Sequence, residues 1–185
     1  MAETEAGAAE LAGRVGRRLR ELRSGRGLSL SELARRSGIG KGTLSELESG
    51  RRNPTLETLY ALTTALSAPL SALLSPAGGR ETVSGGAVDA VLTDRHEDAS
   101  AVTEVFRIRI RAGSAQESAA HAPGTREHIV VLGGTARVGE AASPLTVGPG
   151  GHGAWAADVP HLYAAPDGDV EAVLVVRYAA AAPGG

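Results

Sequence analysis

GLSLSELARRSGIGKGTLSELESGRRNPTLETLYAL, residues 27–62, reads as three short helices separated by a glycine turn and an Asn-Pro turn. Ser29 can accept a hydrogen bond from the backbone N–H of Glu32 while Glu32 reaches back to the N–H of Ser29, a capping box that opens the first of them. Leu30, Leu33 and Ala34 form its apolar stripe. Gly38 suits the left-handed residue that ends this helix, and Ile39 plugs the corner beneath it. A helix from Lys41 to Glu48 follows at once, less well capped because Gly40 stands where Ser or Thr is commoner. Asn53-Pro54 turns the chain, and Thr55 caps a further helix with Leu56, Leu59, Leu62 and Leu66 inward.

Working outward, Leu11, Val15, Leu19 and Leu22 recur at helical spacing and predict a helix ahead of this stretch, with arginines on its other face. Pro69 sits where a first-turn proline is tolerated, so a short fifth helix with Leu70, Leu73 and Leu74 is expected, ended by Pro76. Residues 1–10 lack periodicity and are expected to form a disordered tail, leaving 11–76 as one helical domain. Charge divides the same way, with eleven basic against four acidic side chains over residues 11–53, a net +7. Beyond Ala77 eight arginines face thirteen acids, a net −5, so only the first half suits a polyanion.

Two helices joined by a tight glycine turn, inside a basic helical segment, form the arrangement that presents a second helix to the DNA major groove. The segment resembles the phage-repressor or XRE helix-turn-helix family, on the L-R-x-L-R of helix one, S-x-x-E-L-A, T-L-S-x-x-E and the G-x-x-N-P exit turn. The resemblance implies base reading from Lys41, Gly42, Thr43, Ser45 and Glu46, with Lys41 donating to guanine and Glu46 accepting from cytosine. It places Arg51, Arg52 and the helix start near Leu30 at phosphates, and makes Arg23–Glu48 a structural ion pair. Gly42 departs from the family pattern, since a side chain normally reads a base there, and this shifts some readout to DNA shape.

After a Gly-rich linker expected over 77–86, the period changes from 3.6 to 2. In VFRIRIR, residues 105–111, Phe106, Ile108 and Ile110 point one way and Arg107, Arg109 and Arg111 the other. Further strand-like runs lie at 127–132, 135–138, 144–147, 153–156, 161–164 and 170–178, so the second half is expected to be all β. Residues 87–180 resemble a cupin, a small jelly-roll barrel, on Gly113, His121, Glu127 and Gly134, then Pro149-Gly150 and Val159-Pro160-His161-x-Tyr163. That resemblance implies a metal set of His121, Glu127 and His161, with Ala119 where a fourth ligand is common. Two imidazoles and a carboxylate suit one divalent ion such as Zn, Ni, Mn or Fe, and alternation aims Glu127 inward with Ile129 and Val131. His96, His128 and His152 are read as ordinary surface residues.

The chain has no cysteine, which excludes disulfides and thiolate chemistry. The acidic start MAETEAGAAE is neither a signal nor a transit peptide, and no run of apolar residues spans a membrane, so a cytoplasmic location is expected. The fold expected is therefore a five-helix repressor-like domain followed by a small cupin barrel. The function expected is sequence-specific regulation, with repression the usual sign, on a double-stranded DNA operator. The barrel is expected to bind a small-molecule effector and to supply the homodimer contact. The alternative is a metal-dependent oxygenase or isomerase fused to a DNA-binding domain, and a helical protein-binding adaptor is a third reading.

Overall fold

The computed structural model describes residues 2–74 and 82–179. The chain forms two compact units, divided between Glu81 and Thr82. Pro76, residues 77–81 of the expected linker and residue 180 at the end of the expected barrel lie outside the described residues.

The first unit holds α1 (Ala2–Gly25), α2 (Leu30–Ser37), α3 (Lys41–Glu48) and α4 (Leu56–Ala65). Helix α1 corrects the disordered tail, because it starts at Ala2 and not at Leu11. Alanine, which recurs in this opening stretch, is the strongest helix former. The expected fifth helix is also corrected: Leu70–Ala72 is one 3-10 turn, too short for a fifth α-helix among the described residues. Val15 and Leu19 of α1, Leu33 of α2, Leu44 and Leu47 of α3 and Leu59 and Leu62 of α4 are buried together with Leu66, Leu70 and Leu73. Each such side chain contributes about 1.5–3 kcal/mol on burial.

The approach of α1 to α3 depends on Gly16, which sequence reasoning did not single out. A Cβ there would stand 2.2 Å from the Leu47 carbonyl oxygen, so only glycine lets the two backbones meet.

Among its described residues the second unit has ten strands: β1 (Thr82–Ser84), β2 (Val88–Glu97), β3 (Ala101–Ile110), β4 (Ser114–Ser118), β5 (Arg126–Gly133), β6 (Ala136–Glu140), β7 (Leu145–Val147), β8 (His152–Ala156), β9 (His161–Ala165) and β10 (Val170–Ala179). They form a six-stranded sheet in the order β1-β2-β3-β10-β5-β8 and a four-stranded sheet in the order β4-β9-β6-β7. All pairings are antiparallel. This is a cupin-like β domain, with Phe106, Ile108 and Ile110 buried as their alternation requires. Strand β1 corrects the linker expectation, because Thr82–Ser84 pairs with β2 through Val83 against Ala90. Strand β10 pairs with β3 on one side and β5 on the other, with Val176 opposite both Glu104 and Glu127.

Candidate nucleic-acid interface and buried histidine cluster

Helix α2 starts where the sequence places it, with the Ser29 hydroxyl accepting from the Glu32 N–H at 3.1 Å. The reciprocal half of the capping box is replaced. The Glu32 carboxylate accepts instead from Arg35 at 2.7 and 3.0 Å and from Arg36 at 2.7 Å. Those two guanidinium groups hold its pKa down at about 2. Gly38 ends α2 with φ 70°, the left-handed geometry that turns the chain into α3.

Helix α3 buries Leu44 and Leu47 and so leaves the opposite face open. On that face Lys41, Gly42 and Ser45 are exposed, while Thr43 and Glu46 are half-buried. Gly40 supplies no side-chain cap, as its identity requires. Glu46 is already engaged, accepting from Arg52 at 3.2 Å. That brings a candidate base reader and a candidate phosphate residue into one pair, which the sequence did not reveal. Arg51 is exposed beside it, and Leu30 is half-buried at the start of α2.

The Arg23–Glu48 pair is structural. Arg23 donates two bonds to Glu48, at 2.6 and 2.9 Å, and a third to the Leu28 carbonyl at 2.8 Å. The Glu48 bond raises the Arg23 pKa above its ordinary value. Arg20 adds a longer contact to Glu48 at 3.4 Å. These bonds tie α1 to the end of α3 and to the loop before α2.

In the second unit His121, Glu127 and His161 are all buried, with one potential ligand atom of each within 4.8 Å of the others. His121 follows β4 in a loop pinned by its own N–H to the Ala157 carbonyl at 2.8 Å. Glu127 points inward from β5, and His161 opens β9. One carboxylate oxygen of Glu127 lies 3.0 Å from His121 Nε2, and the other accepts from the Tyr163 hydroxyl. Burial pushes the Glu127 carboxyl up, but the hydrogen bond and charge of His121, the charge of His161 and the Tyr163 hydroxyl outweigh it. Its pKa therefore lies below the ordinary value.

His161 carries the most informative geometry. Its Nδ1 lies 2.9 Å from the Val159 carbonyl oxygen, which can only accept, so Nδ1 holds the hydrogen. With Nδ1 so engaged, Nε2 is a bare lone pair in the neutral ring and a second N–H facing Glu127 in the charged one. It has no hydrogen-bond partner among the described residues and sits 3.6 Å from Glu127 Oε2. A lone pair facing a carboxylate needs a proton or a cation between them.

Three features of this unit were missed in sequence. Tyr163 belongs to the cluster, and its spacing of two from His161 on one strand was the available signal. Glu104 is wholly buried and accepts from the Tyr178 hydroxyl at 3.3 Å, a second carboxylate in the same cross-strand row as Glu127. His152 is not partnerless, since its Nε2 lies 3.3 Å from His128 Nδ1 on the outer face of the sheet. His96 is exposed on β2.

The helix-turn-helix family HTH_3 matches residues 19–73. The HTH-type transcriptional regulator SutR of Escherichia coli (strain K12) is 32% identical over 151 residues, which cover 78% of this chain and 83% of that protein. The transcriptional regulator ClgR of Mycobacterium tuberculosis is 44% identical over 66 residues, 36% of this chain and 59% of its own. The crystal structure of an HTH_3 family transcriptional regulator from Vibrio cholerae superposes with a TM-score of 0.84 at 26% identity, over 92% of this chain and 98% of that one. The chain belongs to the XRE-type helix-turn-helix transcriptional regulators, as a DNA-binding regulator with a cupin-like β domain after its DNA-binding helices.

Proposed function

We propose that this regulator binds an inverted-repeat operator as a homodimer, and that its β domain is a closed jelly-roll barrel in which His121, Glu127 and His161 hold a divalent metal ion. Lys41, Thr43, Ser45 and Glu46 read bases from α3, and Gly42 lets the backbone approach the groove. Arg51, Arg52 and the start of α2 at Leu30 hold phosphates, with Arg52 exchanging Glu46 for DNA.

The observation that carries the sensor reading is the unsatisfied Nε2 of His161 beside the Glu127 carboxylate. A divalent ion satisfies both groups at once and supplies a Lewis-acidic point at which an oxygen-bearing effector can bind. The bond from His161 Nδ1 to Val159 fixes the ring for that role. In this reading the chain is a sensor and not an enzyme: its curated relatives are transcriptional regulators, and Ala119 stands where metal-binding cupins commonly carry a fourth ligand. Effector binding shifts the dimer between arrangements that fit the operator and arrangements that do not.

The test is a footprint on promoter fragments recovered by genome-wide mapping of the bound protein, with and without chelator. Two protected half-sites about 34 Å apart, with affinity that changes on chelation, support the reading. A single undivided half-site, or a footprint indifferent to chelation in protein shown by elemental analysis to contain metal, overturns it.

A further inference from the structure

We infer that Trp155 reads the effector: its buried indole N–H donates to one oxygen of a small oxyanion such as a carboxylate, while another oxygen of the same group completes the coordination of a metal held by His121, Glu127 and His161. The inference rests on the metal reading above and names the chemical class of its ligand.

Register sets Trp155 on β8 directly opposite Glu127 on β5, and both side chains are buried inside the β domain. Directly opposed Cβ atoms lie about 4.5–5.5 Å apart, so the indole is an immediate neighbour of that carboxylate's stem. The Trp155 ring meets Tyr163 edge to face at 5.9 Å, Tyr163 meets His161 at 5.7 Å, and His161 meets His121 at 4.9 Å. Four rings thus run in one row beside Glu127. A Cβ at Gly139 on β6 would stand 3.8 Å from Trp155 Cε3, so that edge of the indole faces β6 and the opposite edge, which carries Nε1, is turned away from it. Trp155 is 4% exposed, yet Nε1 has no hydrogen-bond partner among the described residues.

A buried indole N–H ordinarily finds an acceptor. It can only donate, so whatever satisfies it must bring an acceptor atom. Beside the same carboxylate stands a second unsatisfied atom, Nε2 of His161, where the metal reading places the ion. Three protein ligands leave open positions on a divalent ion, and two neutral imidazoles with one carboxylate leave that centre a net charge of +1. A buried charge favours an opposite charge in contact with it. Glu104, the other wholly buried carboxylate described in this unit, lies outside the group of ligand atoms formed by His121, Glu127 and His161. It stands across Val176 from Glu127 and accepts from the Tyr178 hydroxyl. A lone hydroxyl or amine meets one of the two demands. An oxyanion meets both, with one oxygen for the metal and one for the indole. Burial of the whole row restricts the occupant to a small molecule or its head group.

Trp155 is the sole tryptophan of the chain, so the isotopically labelled full chain gives a single indole signal in a proton–nitrogen correlation spectrum. The experiment titrates the zinc-loaded chain with sodium acetate, sodium bicarbonate and inorganic phosphate, each against sodium chloride at equal ionic strength. At least one oxyanion should move the indole proton downfield, because hydrogen bonding deshields it, and chloride should not. Removal of zinc by a chelator should abolish the response. Trp155→Phe should keep stoichiometric zinc by elemental analysis but bind that anion at least about 10-fold more weakly in calorimetric titration, since a hydrogen bond to a charged group is lost. An indole signal that no oxyanion moves while zinc is bound, a movement that persists without zinc, or unchanged anion affinity in Trp155→Phe overturns this inference and leaves the metal reading standing. A chain that takes up no zinc overturns both, because a site of this type binds zinc more tightly than manganese or iron.

Discussion

Replacing Gly16 by alanine sets two effects of opposite sign against each other. In a helix interior the change from glycine to alanine gains about 1 kcal/mol through backbone entropy. Against it stands the 2.2 Å separation between the new Cβ and the Leu47 carbonyl oxygen, 0.8 Å short of the closest approach that real Cβ atoms make. The obstacle is backbone, with Glu48 backbone atoms 3.2 Å away behind it, so no side-chain rotation relieves it. Either α1 and α3 separate or a helix bends, and overpacking of this kind costs about 1–3 kcal/mol or more. The clash wins. Because the obstacle is backbone the cost lies at the upper end, about 3 kcal/mol, so Gly16→Ala should destabilise the helical unit by about 2 kcal/mol, lowering its melting temperature by about 4–8 °C per kcal/mol for a unit of this size. The paired control is Gly13→Ala, where the nearest atom to a new Cβ is the tip of Arg17 at 3.7 Å. There the entropy gain acts alone and the melting temperature should rise. Far-UV circular dichroism of the full chain follows both, since the helical signal belongs to the first unit. If Gly16→Ala melts at or above the wild type, the close approach of α1 and α3 is wrong.

Arg51→Ala should weaken operator and random DNA alike and flatten the salt dependence, whereas Lys41→Ala and Glu46→Ala should each change preference at one base pair by about 1–3 kcal/mol, read from competition binding on single-substitution operators. Arg52→Ala should also alter preference, because it releases Glu46, and equal losses on every sequence would deny that role. For the buried cluster, a chelator should lower the melting temperature of the wild type but not of His121→Ala, Glu127→Ala or His161→Ala, with elemental analysis of each checking the metal content. The Asp169 pKa lies below its ordinary value of 3.8, chiefly through the Ala112 N–H and then Arg109. A depressed folded-state pKa means that its contribution is complete above 3.8 and is lost as pH falls through the folded value, so acid melting curves of Asp169→Asn should show a shallower drop below that pH.

What sequence revealed was mostly local. The Ser29 cap, the Gly38 turn and the Leu stripes each depend on a few neighbouring residues, so spacing alone places them. The strand at Phe106 is equally plain, because one face is buried and alternation is strict. Strand β2 was missed because its second half, from Thr93 to Glu97, is exposed and carries no alternation to read. The ligand set of the cluster came through family resemblance, not pattern. Glu104 was a missed opportunity, since alternation puts it on the buried face with Phe106. Two facts had no sequence signal at all. The clearance at Gly16 and the direction of the proton on His161 both depend on backbone atoms far away or outside the side-chain code, the carbonyls of Leu47 and Val159.

Strand β5 places Glu127 and His128 on consecutive residues, the first inside among buried groups and the second outside beside Val175. A pleated strand is one peptide thick, so its two surfaces are not separate parts that need a relay between them. Any rotation of that strand which adjusts the inner carboxylate must swing the outer imidazole in the opposite sense. The wall of the β domain is thus its own transmission, and the shortest route from interior to exterior is a single peptide bond.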